Sequence, residues 1–204
     1  MKKTITILML VLSMQAFSQM SVNRNRFNQF SIEADYGLTY TRAPKQTSYK
    51  HFGFGFRYMF DEYWGIKADY AHDRIDDNGT KGTGSIYDRA SVQAVYNIGR
   101  LLNMTYLTDG YLNVLLHSGV GYSRLDPFEN RHYDNIGNFI IGGTAQLYIN
   151  ESFALTADVS GILNFRQQNN FDSKYIDTHT GKMLNASIGI TYYIGRNKSR
   201  SDWR

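Results

Sequence analysis

The chain contains no cysteine and only 2 prolines in 204 residues. The first absence excludes a disulfide-stapled scaffold, a thiolate metal site and cysteine catalysis. No stretch beyond the amino-terminal segment approaches the ~18 consecutive apolar residues of a helical membrane span. Charge of one sign is also scarce, the formal net charge being +4. What is abundant is aromatic: 16 Tyr, 12 Phe and 2 Trp, too many for a disordered chain. Alongside the few prolines, 18 glycines suit many strands and turns. The length fits one domain. Mean hydropathy is negative, which argues against a multi-helix membrane protein. It does not exclude a membrane β-barrel, in which half of each strand faces a polar lumen.

The amino terminus reads as an export signal. Lys2 and Lys3 precede an apolar run, Ile5–Leu12, and Ala16-Phe17-Ser18 stands before Gln19. A basic start, a short apolar core and small residues near a cut describe a secretory signal peptide. The run is too short to cross about 30 Å of hydrocarbon. Residues 1–18 are therefore expected to be a cleaved signal and 19–28 a lead-in. No cysteine follows the cut, so no lipoprotein anchor is expected. Loss of the two lysines brings the mature chain close to neutral, which gives no footprint for nucleic acid.

From about residue 29 to 195 a period of two dominates. Phe30, Ile32, Ala34, Tyr36, Leu38 and Tyr40 share one face, against Ser31, Glu33, Asp35, Gly37, Thr39 and Thr41. Seven further segments repeat the habit, around Phe52–Phe60, Trp64–Ala71, Arg89–Ile98, Leu112–Ser123, Asn138–Ile149, Phe153–Phe165 and Leu184–Ile194. The connections alternate. Asp61–Tyr63 and Asn150–Ser152 read as tight turns, with Gly99–Gly110 a longer link on the same side. Ala43–Tyr49, Ile75–Ser85, Asp126–Ile136 and Arg166–Lys182 read as polar loops. The fold class expected is all-β: an eight-stranded antiparallel up-and-down transmembrane β-barrel over residues 29–195, with 196–204 a short basic periplasmic tail.

A soluble lipocalin-like barrel gives the same period, so the polar face has to decide. Water-facing surfaces run about 25–35% charged. Here the polar face is mostly Gly, Ser, Thr, Asn and Gln, and its charges are few and of both signs. Small residues suit the crowded interior of an eight-stranded barrel. Glu33, Asp35, Asp69 and Asp158 against Arg57, Lys67 and Arg89 are thus expected to form a lumen charge cluster that plugs the centre. On the apolar face, Tyr40, Phe60, Trp64, Tyr96, Tyr122, Phe139, Phe153, Phe165 and Tyr192 lie near strand ends, as an aromatic girdle would.

Two stretches are more specific. Tyr96-Asn97-Ile98-Gly99-Arg100-Leu101-Leu102-Asn103, followed by Leu115-Leu116-His117-Ser118-Gly119-Val120-Gly121-Tyr122-Ser123, is one. Gly189-Ile190-Thr191-Tyr192-Tyr193-Ile194-Gly195-Arg196-Asn197, running to Ser201-Asp202-Trp203, is the other. With these the chain resembles the small outer-membrane barrels of the OmpA/OmpX type, and within them the barrel module of OmpA-family proteins from Bacteroidota. Family members typically continue into a peptidoglycan-binding domain, whereas this sequence stops soon after Gly195. The resemblance implies the outer membrane of a Gram-negative bacterium as location. Outer-membrane lipid and lipopolysaccharide are the expected partners, with other outer-membrane or periplasmic proteins.

Little in the chain reads as catalytic chemistry. His51, His72, His117, His132 and His179 form no metal-ligand spacing. His117 and Ser118 are strand neighbours and point to opposite faces, so they cannot act as base and nucleophile. His117 is expected to hydrogen-bond within the lumen. Gly79, Gly82 and Gly84, near Asp76, Asp77 and Asn78, complete no calcium-loop spacing. Asp126, His132, Asp177 and His179 would make a rim enzyme only if closure brought them together. No cofactor, metal or catalytic residue is expected. The functional reading is a non-enzymatic barrel with a structural, envelope-integrity role, or an accessory subunit of a larger outer-membrane complex. The alternatives are a loop-mediated surface binding or adhesion module and a narrow channel.

Overall fold

A computed structural model describes residues 29–76, 83–129 and 132–194. The expected signal, lead-in and basic tail lie outside these residues, as do Asp77, Asn78, Gly79 and Gly82. The elements in chain order are β1 (Gln29–Arg42), β2 (Lys45–Met59), β3 (Trp64–Asp76), β4 (Gly84–Asn97), α1 (Ile98–Leu101), α2 (Met104–Leu107), β5 (Leu112–Pro127), β6 (Asp134–Tyr148), β7 (Phe153–Asn169) and β8 (Tyr175–Ile194). Each strand pairs antiparallel with the next, and β1 pairs with β8 from Phe30↔Ile194 to Thr41↔Met183, so the sheet is a closed barrel.

Alternation sets which side chain goes where. Val120 and Ile188 are 65% and 72% exposed on the outside, whereas Thr191 and Gln146 are fully buried inside. Rows of exposed Phe, Ile, Leu and Val encircle the molecule. A water-soluble protein rarely tolerates so continuous an apolar belt; hydrocarbon requires one. All nine predicted girdle residues lie on this outer face. Trp64, Tyr96, Phe153 and Tyr192 sit at the turn end, where Trp64 packs on Tyr96 at 4.7 Å and Phe153 on Tyr192 at 5.0 Å.

Polar atoms within the belt satisfy themselves, as a medium without water demands. Ser118 Oγ donates to the Ile140 carbonyl at 3.1 Å. The register between β1 and β2 shifts between Gly37 and Thr39, so that Tyr49 and Lys50 on β2 stand against Leu38 alone on β1. Such a bulge frees backbone groups, and the Tyr36 hydroxyl donates to the Tyr49 carbonyl at 2.5 Å.

The loop end differs from the sequence reading. Two of the four predicted loops, Ala43–Tyr49 and Arg166–Lys182, are largely strand: β1 and β2 are separated only by Ala43 and Pro44, and β7 and β8 run to Asn169 and from Tyr175. The hairpins continue past the point where outward residues become polar (His72, Arg74, Asp88, Arg124, Lys182). Above that point the outside meets water, so the inside must supply the core. Ile75, Tyr87, Leu125, Ile136, Ile140, Ile162 and Met183 do so, with Phe171 folded in from the β7–β8 hairpin. The link after β4, read from the sequence only as a longer connection, holds α1 and α2, single helical turns too short for any period to register.

Candidate functional site

The charged residues gather in the middle storey of the lumen. Below them lie Met59, Val95 and Leu115, and Tyr148, Ala154 and Tyr193; above them lies the loop-end core. The centre is thus polar between two apolar lids, which shield its charges from bulk water. Under those conditions a charge persists only when paired and hydrogen-bonded.

The pairing forms a chain across the barrel. Arg57 Nη1 meets Glu33 Oε1 at 3.0 Å, and Lys67 Nζ meets Glu33 Oε2 at 2.9 Å. Lys67 lies 4.0 Å from Asp69, which accepts from the Gln93 amide at 2.5 Å and from the Ser91 hydroxyl. Gln93 Oε1 contacts His117 Nδ1 at 2.7 Å, and His117 Nε2 reaches Asp158 at 2.9 Å. Thr144 and Ser160 donate to Asp158 at 2.7 and 2.5 Å. All seven strands from β1 to β7 are thereby joined through their inner faces.

Two predicted members stand elsewhere. Asp35 meets no lysine or arginine among the described residues but His51, at 3.3 Å. Arg89 makes no ion pair among the described residues, and its buried Nε and Nη1 have no hydrogen-bond partner there. It lines a lumen cavity of about 30 Å³ together with His51, Lys67, Asp69, His117 and Asp158. That volume suits one or two waters and is far from a continuous pore.

Two residues escaped the sequence reading. His51 Nδ1 lies 2.7 Å from Asp73, which also accepts from Thr39, and both are buried. Their positions carried the signal. His51 has the parity of Gly53, Gly55 and Arg57 on β2, and Asp73 that of Lys67 and Asp69 on β3.

The rim residues do not converge as an enzyme's would. Asp126 pairs with Arg124 at 3.0 Å. His179 Nδ1 contacts the backbone carbonyl of Asp177 at 3.2 Å rather than a carboxylate. His132 lies in the β5–β6 hairpin, where its carbonyl accepts from Asn169 at 3.1 Å. No group of three or more His, Asp or Glu among the described residues is arranged to hold a metal ion.

No family model and no curated protein matches this chain. Solved structures do match it. Neisserial surface protein A is similar over 80% of this chain and 95% of its own, at 9% identity and a TM-score of 0.58. A major outer membrane protein from Thermus thermophilus is similar over 81% and 98%, at 12% identity and a TM-score of 0.57. At these identities the likeness is one of fold.

Proposed function

We propose, from the premise that this chain is an eight-stranded membrane-spanning barrel of the outer-membrane kind, that it is a non-enzymatic structural component of the outer membrane of a Gram-negative bacterium. The observation that carries this reading is the filled lumen. An ionic chain crosses it, apolar lids close it at both ends, and its cavity holds only about 30 Å³. Conduction needs a continuous polar path, and catalysis needs convergent groups open to substrate. Neither is supported. The belt anchors the molecule, and the buried network makes it rigid.

Two measurements test this. Planar-bilayer recording of the purified chain is expected to give no unitary conductance; discrete openings would refute it. Deleting the gene is expected to raise detergent sensitivity and leakage of a periplasmic marker, restored by the wild-type chain. An unchanged envelope would refute an integrity role.

The accessory-subunit reading is favoured by the link between β4 and β5. Leu101, Leu102, Tyr106 and Leu107 are 55–86% exposed there, at the turn end. Isolation from mildly solubilised outer membrane is expected to give a stoichiometric partner that Leu102→Lys/Leu107→Lys releases. Recovery of the wild-type chain alone would refute that reading.

A further inference from the structure

The outer face at the loop end divides into two unlike arcs. Around β3 to β5 the outward cations are answered: Arg74 and, from the β2 bulge, Lys50 pair with Asp76, and Arg124 pairs with Asp126. At the upper ends of β2, β1, β8 and β7 four are not. Arg42 stands directly opposite Lys45. Thr41 pairs with Met183, so Arg42 and Lys182 are the next positions out on neighbouring strands. Leu163 pairs with Lys182, and Arg166 follows Leu163 in the β7 bulge. All four cations are exposed, and none makes an ion pair with a described residue. Like charges set opposite one another on a sheet are destabilising, so the arc calls for an anion from outside the protein.

The same strands carry a groove just below. Leu38, Ala157, Val159, Ala186 and Ile188 line it beside Tyr36 and Tyr49, with a volume of about 460 Å³. Tyr40, paired with Leu184, separates it from the cations. From Ala186 to Lys182 is roughly 13 Å along the strand, at about 3.3 Å per residue. Head-group cations, an aromatic interface and an apolar groove thus follow one another down the same strands, in the order of the parts of a lipid.

We propose that this arc binds lipid A of the outer leaflet, its phosphates on Arg42, Lys45, Lys182 and Arg166 and one acyl chain in the groove. The inference rests on the outer-membrane location given above and names the lipid that meets this face. Four strands about 4.8 Å apart spread the cations over roughly 14 Å, which suits a head group with two phosphates better than a single one. Arginine adds bidentate contact with phosphate oxygens.

The test uses the full chain folded in micelles, with native mass spectrometry reading retained lipid. The probes are bisphosphorylated lipid A, dephosphorylated lipid A and phosphatidylglycerol. The wild type is expected to retain bisphosphorylated lipid A alone. Arg42→Gln/Lys45→Gln/Lys182→Gln is expected to lower occupancy roughly tenfold or more. Ala157→Phe, which fills the groove without altering charge, is expected to lower it as well. Arg74→Gln/Arg124→Gln on the opposite arc is expected to leave it unchanged. Equal retention by the folded triple variant, or of phosphatidylglycerol, overturns the proposal. So does an unaltered occupancy in Ala157→Phe. If the triple variant does not fold, salt decides on the wild type: occupancy that falls as NaCl rises supports the proposal, and salt-independent occupancy overturns it. A wild type that stays folded in buffer without detergent would instead refute the membrane location itself.

Discussion

Replacing Glu33 by Ala is the most direct probe of the lumen. One carboxylate serves two cations there, Arg57 at 3.0 Å and Lys67 at 2.9 Å, and the three side chains are 8%, 2% and 13% exposed. The substitution leaves two buried positive charges, with only the 4.0 Å contact to Asp69 remaining for Lys67. Breaking a buried pair from one side costs about 3–5 kcal/mol. The same truncation at the rim, Arg124→Ala, removes a pair that is half exposed on both sides and is expected to cost about 0–1 kcal/mol. Urea unfolding in lipid vesicles, followed by tryptophan fluorescence and by heat-modifiable gel mobility, measures both. Glu33→Leu/Arg57→Met/Lys67→Met removes all three charges and is expected to return within about 1 kcal/mol of wild type or above it. If Glu33→Ala costs no more than Arg124→Ala, the reasoning about a dry ionic centre is wrong.

Three further substitutions test other parts of the architecture. Val120→Arg, at an outward position in the belt, is expected to cost about 2–4 kcal/mol in vesicles; a cost near zero would mean that the belt does not face lipid. At Gly142 an added Cβ would lie against the His117 ring and 2.6 Å from the Val159 carbonyl. Gly142→Ala is therefore expected to lose about 1–3 kcal/mol by overpacking, seen as a lowered urea midpoint; an unchanged midpoint would contradict the placement of His117. Phe171→Ala removes the ring that the tip of the β7–β8 hairpin contributes to the upper core. It is expected to cost about 3 kcal/mol and to hasten trypsin cleavage after Lys174, and equal cleavage rates would refute that role.

The barrel is readable because lipid and a crowded lumen each demand one class of side chain, and strands deliver the two alternately. Phe52–Phe60 against Gly53, Gly55 and Arg57 needs no further information. The reading fails where the outer solvent changes. Beyond Asp88 on β4 and Arg124 on β5, the inner positions Tyr87 and Leu125 are apolar and the outer ones polar. A pattern built on a lipid-facing apolar side loses its sign there, and strand reads as loop. Partner choice is beyond reach for another reason. The contact from His117 to Asp158 joins β5 to β7, and that from Gln93 to His117 joins β4 to β5. The first crosses the lumen between strands that are not neighbours, so only closure with its stagger defines it. Parity places Arg89 inside correctly but does not say that the carboxylates are taken by other groups.

The hydrogen bonds between β1 and β8 also govern the order of events in assembly. A ring cannot be finished before its final member arrives, and β8 lies more than 130 residues downstream of β1. Until then both margins carry bare amides, which hydrocarbon penalises by several kcal/mol apiece. Partial rings are therefore not stable stopping places in a bilayer. A polypeptide truncated within β8 forfeits the whole cylinder rather than one eighth of it, and insertion becomes a single commitment made once β8 is in hand.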